Sequence, residues 1–306
     1  MLRYIISRLI QGVFVLLMLV TLAFFMAKAL PGEPFTGEKN ISEKVKEEKR
    51  KQWGLDKPLA VQYVITLKHM FIDWDFGMST KRVRPVELII RQSFPASLVL
   101  GLVALGMAVV IGIPLGAVSA LRRNTWIDYL GMSFAMIGIC VASFVIGSLL
   151  QRYVAMNVPF LNIAGWGTPQ DVILPALTLA LGPAAYLARL TRVGLLEILS
   201  QDYIRTAYAK GLSVSRIIIK HALRGGLIPA VSYLGPAFAS LISGSFIVET
   251  IFSVPGMGQH FVNAVIDRDE FLLLGLVVFY GFLIVVVNLL ADIATGLLNP
   301  KLRLES

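Results

Sequence analysis

Residues able to do chemistry are few in this chain and lie far apart. The three histidines, His69, His221 and His260, fall on different segments, and no pair has metal-ligand spacing. The lone cysteine, Cys140, sits in an apolar run, so neither an internal disulfide nor a cysteine metal cluster can form, and a buried, inert thiol is expected. No GxxxxGKS/T phosphate loop, HExxH or nucleophile elbow occurs. Gly256-Met257-Gly258 lacks the length and the strand–helix flanks of a dinucleotide fingerprint. No catalytic residue, metal site or cofactor of its own is therefore expected, nor nucleotide hydrolysis by this chain.

One intramembrane acid stands out. Asp292 lies about 10 Å from the middle of the last apolar segment, at about 1.5 Å per residue. A carboxylate costs roughly 2.5–3.5 kcal/mol at a span's centre and less near its end. Two readings follow. Asp292 is a proton relay of a self-contained secondary transporter, or it is a near-interface residue paired with a cation or hydroxyl. Asn288, one turn earlier on the same face, would share that partner.

The elements that position these groups are apolar. The chain has 306 residues, 56% hydrophobic and 15% charged, with a mean hydropathy of +0.74. Such values describe an all-α polytopic membrane protein. The net charge of +9 raises nucleic acid as a partner, but the cations fall between apolar runs, as in cytoplasmic loops, so none is expected. A membrane helix needs roughly 20 apolar residues, and six segments qualify: 9–30, 95–120, 127–150, 172–191, 228–252 and 272–298. The organisation expected is a first helix over 1–30, an external segment over 31–94, and a core of five helices over 95–306. Ala27-Lys28-Ala29 has the form of a signal-cleavage site. The uncharged run Leu9 to Ala27 is longer than the roughly 7–15 residues of a signal core, so a retained span is expected. Ser42 is an expected N-cap of a charged surface helix in the external segment.

Short loops set the orientation. One side collects Arg3, Arg8, Arg122, Arg123, a run from Arg189 to Arg224, Lys301 and Arg303; the other offers Arg152 and Arg268. The positive-inside rule then places both termini in the cytoplasm. Gly112 and Gly116 form a GxxxG pair for close helix packing. Gly182-Pro183 is expected to kink the fourth segment, and Pro114 and Pro236 two others.

The run of cations centres on "DYIRTAYAKGLSVSRIIIKHALRGGLIP", residues 202–229, within an element at 200–227. Residues 203–210 suit a short helix, Gly211 its left-handed end and Ser213 the cap of a second helix. Val214, Ile217, Ile218 and Ala222 then form an apolar stripe, and Arg216, Lys220 and Arg224 a basic one. Two readings stay open. The cations reach toward anionic membrane lipid, or the first helix docks into a soluble partner. In the second, Ala207, Ala209 and Gly211 supply a small face, with Arg205 and Lys210 at its rim.

This stretch resembles the cytoplasmic coupling motif of ABC importer permeases, in the form used by the peptide-permease branch. Arg205-Thr206-Ala207 stands where the general motif has Glu-Ala-Ala, with Gly211 at the expected interval. The glutamate's absence removes any salt bridge from that position. "GLDKPLAVQYV", "DWDFGMSTKRVRPV", "FPASLVLG" and "SFIVETIFSVPGMGQHFVNAVIDRD" resemble the same branch. The resemblance implies a type I ABC importer permease fold with six transmembrane helices in a bacterial inner membrane. It implies a C-type permease partner, one or two P-loop ATPases that use ATP and Mg, and an external binding protein that delivers peptide, with oligopeptides the expected cargo. It implies coupling through Arg205, Thr206, Ala207, Ala209, Lys210 and Gly211. Glu249, Thr250, Pro255, Gly256 and Gly258 are candidates for the outer mouth or gate.

Overall fold

The computed structural model describes residues 2–29, 56–79, 81–242 and 246–298. Among these the chain is helical apart from turns and an antiparallel bridge between Met78 and Pro85. In chain order the helices are α1 (Leu2–Ala29), α2 (Leu59–Lys68), α3 (Val86–Leu121), α4 (Trp126–Cys140), α5 (Ser143–Leu150), α6 (Pro169–Leu199) and α7 (Asp202–Ala209). They continue as α8 (Val214–Ile217), α9 (Leu223–Gly226), α10 (Ile228–Ile242), α11 (Phe246–Ile251), α12 (Met257–Ile266) and α13 (Glu270–Leu298). π-Helical turns extend α2 over His69–Asp73 and α5 over Gln151–Ala155, and a third over Ile218–Ala222 joins α8 to α9.

Among the described residues four helices are long and apolar enough to cross a membrane: α1, α3, α6 and α13. Two further candidates are bent helix pairs, near the expected segments 127–150 and 228–252. Trp126–Cys140 and Ser143–Ala155 meet at 104°, and Ile218–Gly226 meets α10 at 50°. Counting each bent pair as one span gives six. The expected segment 127–150 is thus broken at Val141-Ala142, and within 228–252 the described residues form α10 and α11. The second span starts at Val86 rather than 95, because Pro85 at the N-cap ends the preceding turn. The charged helix expected at Ser42 lies outside the described residues.

The centre of the bundle is α6. Of its apolar window 61% is buried, against 22% for α1. Its start is fixed by a capping box: the Thr168 amide donates to Asp171 Oδ2 at 2.7 Å, and Pro169 takes the first helical position. Pro183, expected to mark a kink, lies inside one continuous helix. The α3–α6 contact is the most extensive in the fold. A Cβ on Gly112 would stand 2.8 Å from Leu187 Cβ, and one on Gly116 2.8 Å from Thr191 Cβ. The GxxxG pair therefore sets the distance between these helices, since dispersion contacts need backbones this close.

At one end of the bundle, Gly226 of α9 packs on Gly194 and Leu195 of α6, beside Ala120 of α3 and Ala222. This is the end that carries the basic hairpin. At the opposite end, Lys28 of α1 pairs with Glu270 of α13 at 2.7 Å, and Tyr63 of α2 meets Thr21 at 2.6 Å. Ser97 near the start of α3 and Ala120 near its close are about 35 Å apart at 1.5 Å per residue.

Cys140 is exposed, not buried. Helix α4 buries only Asp128, Gly131 and Ala135, and Cys140 falls off that stripe.

Candidate functional site

The basic hairpin is built locally. Helix α7 ends in a Schellman motif: the Gly211 amide donates to Tyr208 O at 2.9 Å and the Leu212 amide to Ala207 O at 3.3 Å. Gly211 has φ +76°, and no atom lies within 4 Å of a Cβ built there. The glycine answers a backbone requirement, not a lack of space. The motif folds α8 back on α7, and Ile204, Ala207 and Ile217 form a buried cluster with Ile198, Leu199 and Leu212. Ile217 and Ala222 are both buried. They are five residues apart, and the π-helical turn brings them to the same face. Arg216, Lys220 and Arg224 are exposed, as their spacing predicts.

The small face expected of α7 does not form. Ala207 points inward, whereas Ala209 and Gly211 are exposed. At 3.6 residues per turn, positions 207 and 209 stand about 200° apart, so one helix cannot present both. The exposed surface carries Arg205, Ala209, Lys210 and two tyrosines the sequence reading did not single out, Tyr203 and Tyr208. Arg205 pairs loosely with Asp202 at 3.5 Å, both almost fully exposed, so the pair adds little stability. Thr206 donates to Asp202 O at 3.0 Å.

The hairpin rests on the last turns of α6, where a second feature appears. Asp128 of α4 accepts two hydrogen bonds from Arg192, from Nε and Nη2, each at 2.7 Å. The Asn124 amide donates to the same carboxylate at 3.0 Å. Arg192, counted with the loop cations in the sequence reading, instead lies within α6 and ties it to α4.

At the other end, the gate candidates separate. Glu249 is fully buried. Its Oε1 accepts from Ser97 Oγ at 3.1 Å and its Oε2 from the Gly258 amide at 2.8 Å. Ser97 Oγ in turn accepts from the Met257 amide at 2.9 Å. A Cβ on Gly256 would lie 2.6 Å from both Glu249 oxygens, so glycine lets the loop close over the carboxylate. Glu249, Gly256 and Gly258 thus come together. Thr250 turns outward and bonds Phe246 O at 2.8 Å, and Pro255 is exposed. Ser97 was missed as a site residue, although it lies in the quoted "FPASLVLG". Its signal was a second inward serine one turn after Ser93. Asp292 falls on α13, but its side chain lies outside the described residues. Among the described residues no group of three or more metal-ligating side chains forms.

Comparison with known proteins identifies the family. The N-terminal model of the binding-protein-dependent transport system membrane component matches residues 1–101. The model for the binding-protein-dependent transport system inner membrane component matches residues 112–304. The chain is 42% identical to the dipeptide transport system permease protein DppB of Bacillus subtilis (strain 168), covering 100% of this chain and 99% of the relative. It is 40% identical to the oligopeptide transport system permease protein OppB of Haemophilus influenzae, over 99% of this chain and 100% of the relative. A chain of the MetNI methionine ABC transporter, solved in inward-facing conformations, shares the fold with a TM-score of 0.61 at 17% identity, covering 70% of this chain and 97% of that one. The chain belongs to the family of inner membrane components of binding-protein-dependent transport systems.

Proposed function

We propose that this chain is a permease subunit of an ATP-driven type I importer and forms, with a C-type permease, the path for peptides delivered by an external binding protein. The observation that carries the reading is its likeness, over essentially the whole chain, to dipeptide and oligopeptide permeases. The same likeness favours it over a proton-coupled transporter centred on Asp292. The basic end faces the cytoplasm of a bacterial inner membrane, where the cations of residues 205–224 meet the positive-inside rule.

Helix α7 is the coupling element. Its inner side, Ile204 and Ala207, is packed on the end of α6 and on Ile217. Its outer side, Tyr203, Arg205, Tyr208, Ala209 and Lys210, is free to enter a cleft of an ATPase. A push on α7 then moves α6 as a rigid body, and α6 carries α3 through the tight Gly112 and Gly116 contacts. Closure of two ATPases on ATP and Mg drives the switch between inward-open and outward-open states. Moving a population from 1:99 to 99:1 takes about 5.5 kcal/mol of differential affinity.

The test is purification from native membranes in mild detergent, mass spectrometry of the associated chains, and peptide uptake in proteoliposomes. A second permease, P-loop ATPases and ATP-dependent uptake are expected. Recovery of this chain alone, with uptake driven by a proton gradient and lost in Asp292→Asn, overturns the reading.

A further inference from the structure

The end of the bundle that holds the Glu249 nest also holds a polar cavity of about 520 Å³. Three separate parts of the chain line it. Arg82 and Arg84 come from the turn before α3, Gln92 and Ser93 from the first turns of α3, and Pro255 and His260 from the loop and helix after Glu249.

The turn that carries the arginines is held firmly. The Ser79 amide donates to Arg84 O at 2.9 Å and the Val83 amide to Ser79 O at 3.0 Å. The Arg82 amide donates to Ser79 Oγ at 3.2 Å, and the Ser79 hydroxyl donates to the buried carboxylate of Asp269. Val83 sits at φ 50°, a conformation a β-branched residue adopts only where its surroundings impose it. The two guanidinium groups are therefore presented by a braced turn.

Arg82 and Arg84 are both exposed. Among the described residues neither Arg82 nor Arg84 has a carboxylate partner. Glu249 is already satisfied by Ser97 and Gly258. His260 Nδ1 is buried without a hydrogen-bond partner. Burial, and then the charge of Arg82, push this imidazole down to about 4, so the cavity's positive charge at neutral pH is that of the two arginines. A concave site with two unpaired cations and an unused polar atom selects an anion.

Position and size narrow the anion. From α3 the cavity takes the buried Ile89 and Ser93 and the exposed Gln92. The volume suits a small ligand, since such sites run from roughly 300 to 1,000 Å³.

We propose that this cavity binds the C-terminal carboxylate of the incoming peptide, with Arg82 and Arg84 clamping the charge and Gln92 and His260 completing the polar contacts. The proposal rests on the reading of the chain as a peptide permease and adds a recognition site at the mouth of the path.

The test uses the complete transport complex in proteoliposomes, with trialanine and trialanine amide as probes. Selectivity of the binding protein is common to all variants, so the change in the acid-to-amide uptake ratio is the readout. In R82Q/R84Q this ratio should fall about tenfold, the size of one charge-assisted hydrogen bond, while docking of the binding protein is unchanged. An unchanged ratio overturns the proposal, and so does an equal loss of both peptides. Weakened docking at an unchanged ratio does so too, by assigning the arginines to a contact with the binding protein. A second measurement needs no transport. On the wild-type complex, trialanine but not its amide should protect Arg82 and Arg84 from phenylglyoxal, read by mass spectrometry. Equal protection by both overturns the site. A wild-type complex that imports no peptide defeats the functional reading, and the protection experiment still decides the cavity.

Discussion

The Gly258 amide donates to Glu249 Oε2 at 2.8 Å, and a Cβ on Gly258 would lie 2.8 Å from that same oxygen. The hydrogen bond and the missing side chain are two sides of one arrangement. The loop can reach a buried carboxylate only where glycine removes the steric barrier. Gly256→Ala should push Glu249 away from Ser97 Oγ and the Gly258 amide. Each buried donor left unpaired costs about 1–3 kcal/mol. The unfolding midpoint of the purified permease should fall, and it should fall less for Ser97→Ala. A Gly256→Ala midpoint equal to wild type would show that the nest is not required.

The Asp128–Arg192 pair makes a second prediction. Arg192→Gln strands a carboxylate that is only 2% exposed. Breaking a fully buried pair costs roughly 3–5 kcal/mol. The loss here should be smaller, because 24% of the Arg192 side chain is exposed. The double variant Asp128→Asn/Arg192→Gln should be more stable than Arg192→Gln alone, since it leaves no lone charge. Thermal unfolding of the three proteins checks the order.

Ala207 and Ala209 should respond differently to the same substitution. Ala209→Arg adds bulk on the exposed side of α7 and should abolish ATP-dependent uptake while leaving membrane insertion and stability intact. Ala207→Arg forces a charge into the Ile204–Ile217 cluster and should lower the yield of folded protein. Normal uptake by Ala209→Arg would remove α7 from the coupling interface.

His260 predicts a pH dependence. Its value is depressed from 6.5 to about 4 in the folded protein. The unfolded chain therefore takes up this proton first as the pH falls. Stability from this group is full above about 6.5 and is lost progressively toward 4. His260→Gln should flatten that part of the profile, measured as the unfolding midpoint at several pH values between 7 and 4. An identical slope in both proteins would place the titrating group elsewhere.

The hairpin was legible in the sequence because its determinants are local. The Gly211 cap, the short helix before it and the basic stripe of Arg216, Lys220 and Arg224 all depend on spacing within a few residues. The apolar segments were legible for the same reason, since a run of suitable length reports a helix regardless of its neighbours. The break at Val141-Ala142 was not, because both halves of that segment are apolar and no charge marks the bend.

Tertiary structure alone decided which of these residues meet. Ser97 and Glu249 are 152 positions apart in the chain and bond at 3.1 Å. Asp128 and Arg192 are 64 apart and bond at 2.7 Å. Ala207 looked free to face a partner until the fold of α8 back onto α7 buried it. Arg82 and Arg84 share one turn, and they meet His260 in one cavity only when α12 packs beside the start of α3. Local sequence sets helix type, caps and charge stripes through short-range sterics and hydrogen bonds. Which faces touch is set by packing between elements distant in sequence, and that is where the buried carboxylates found their partners.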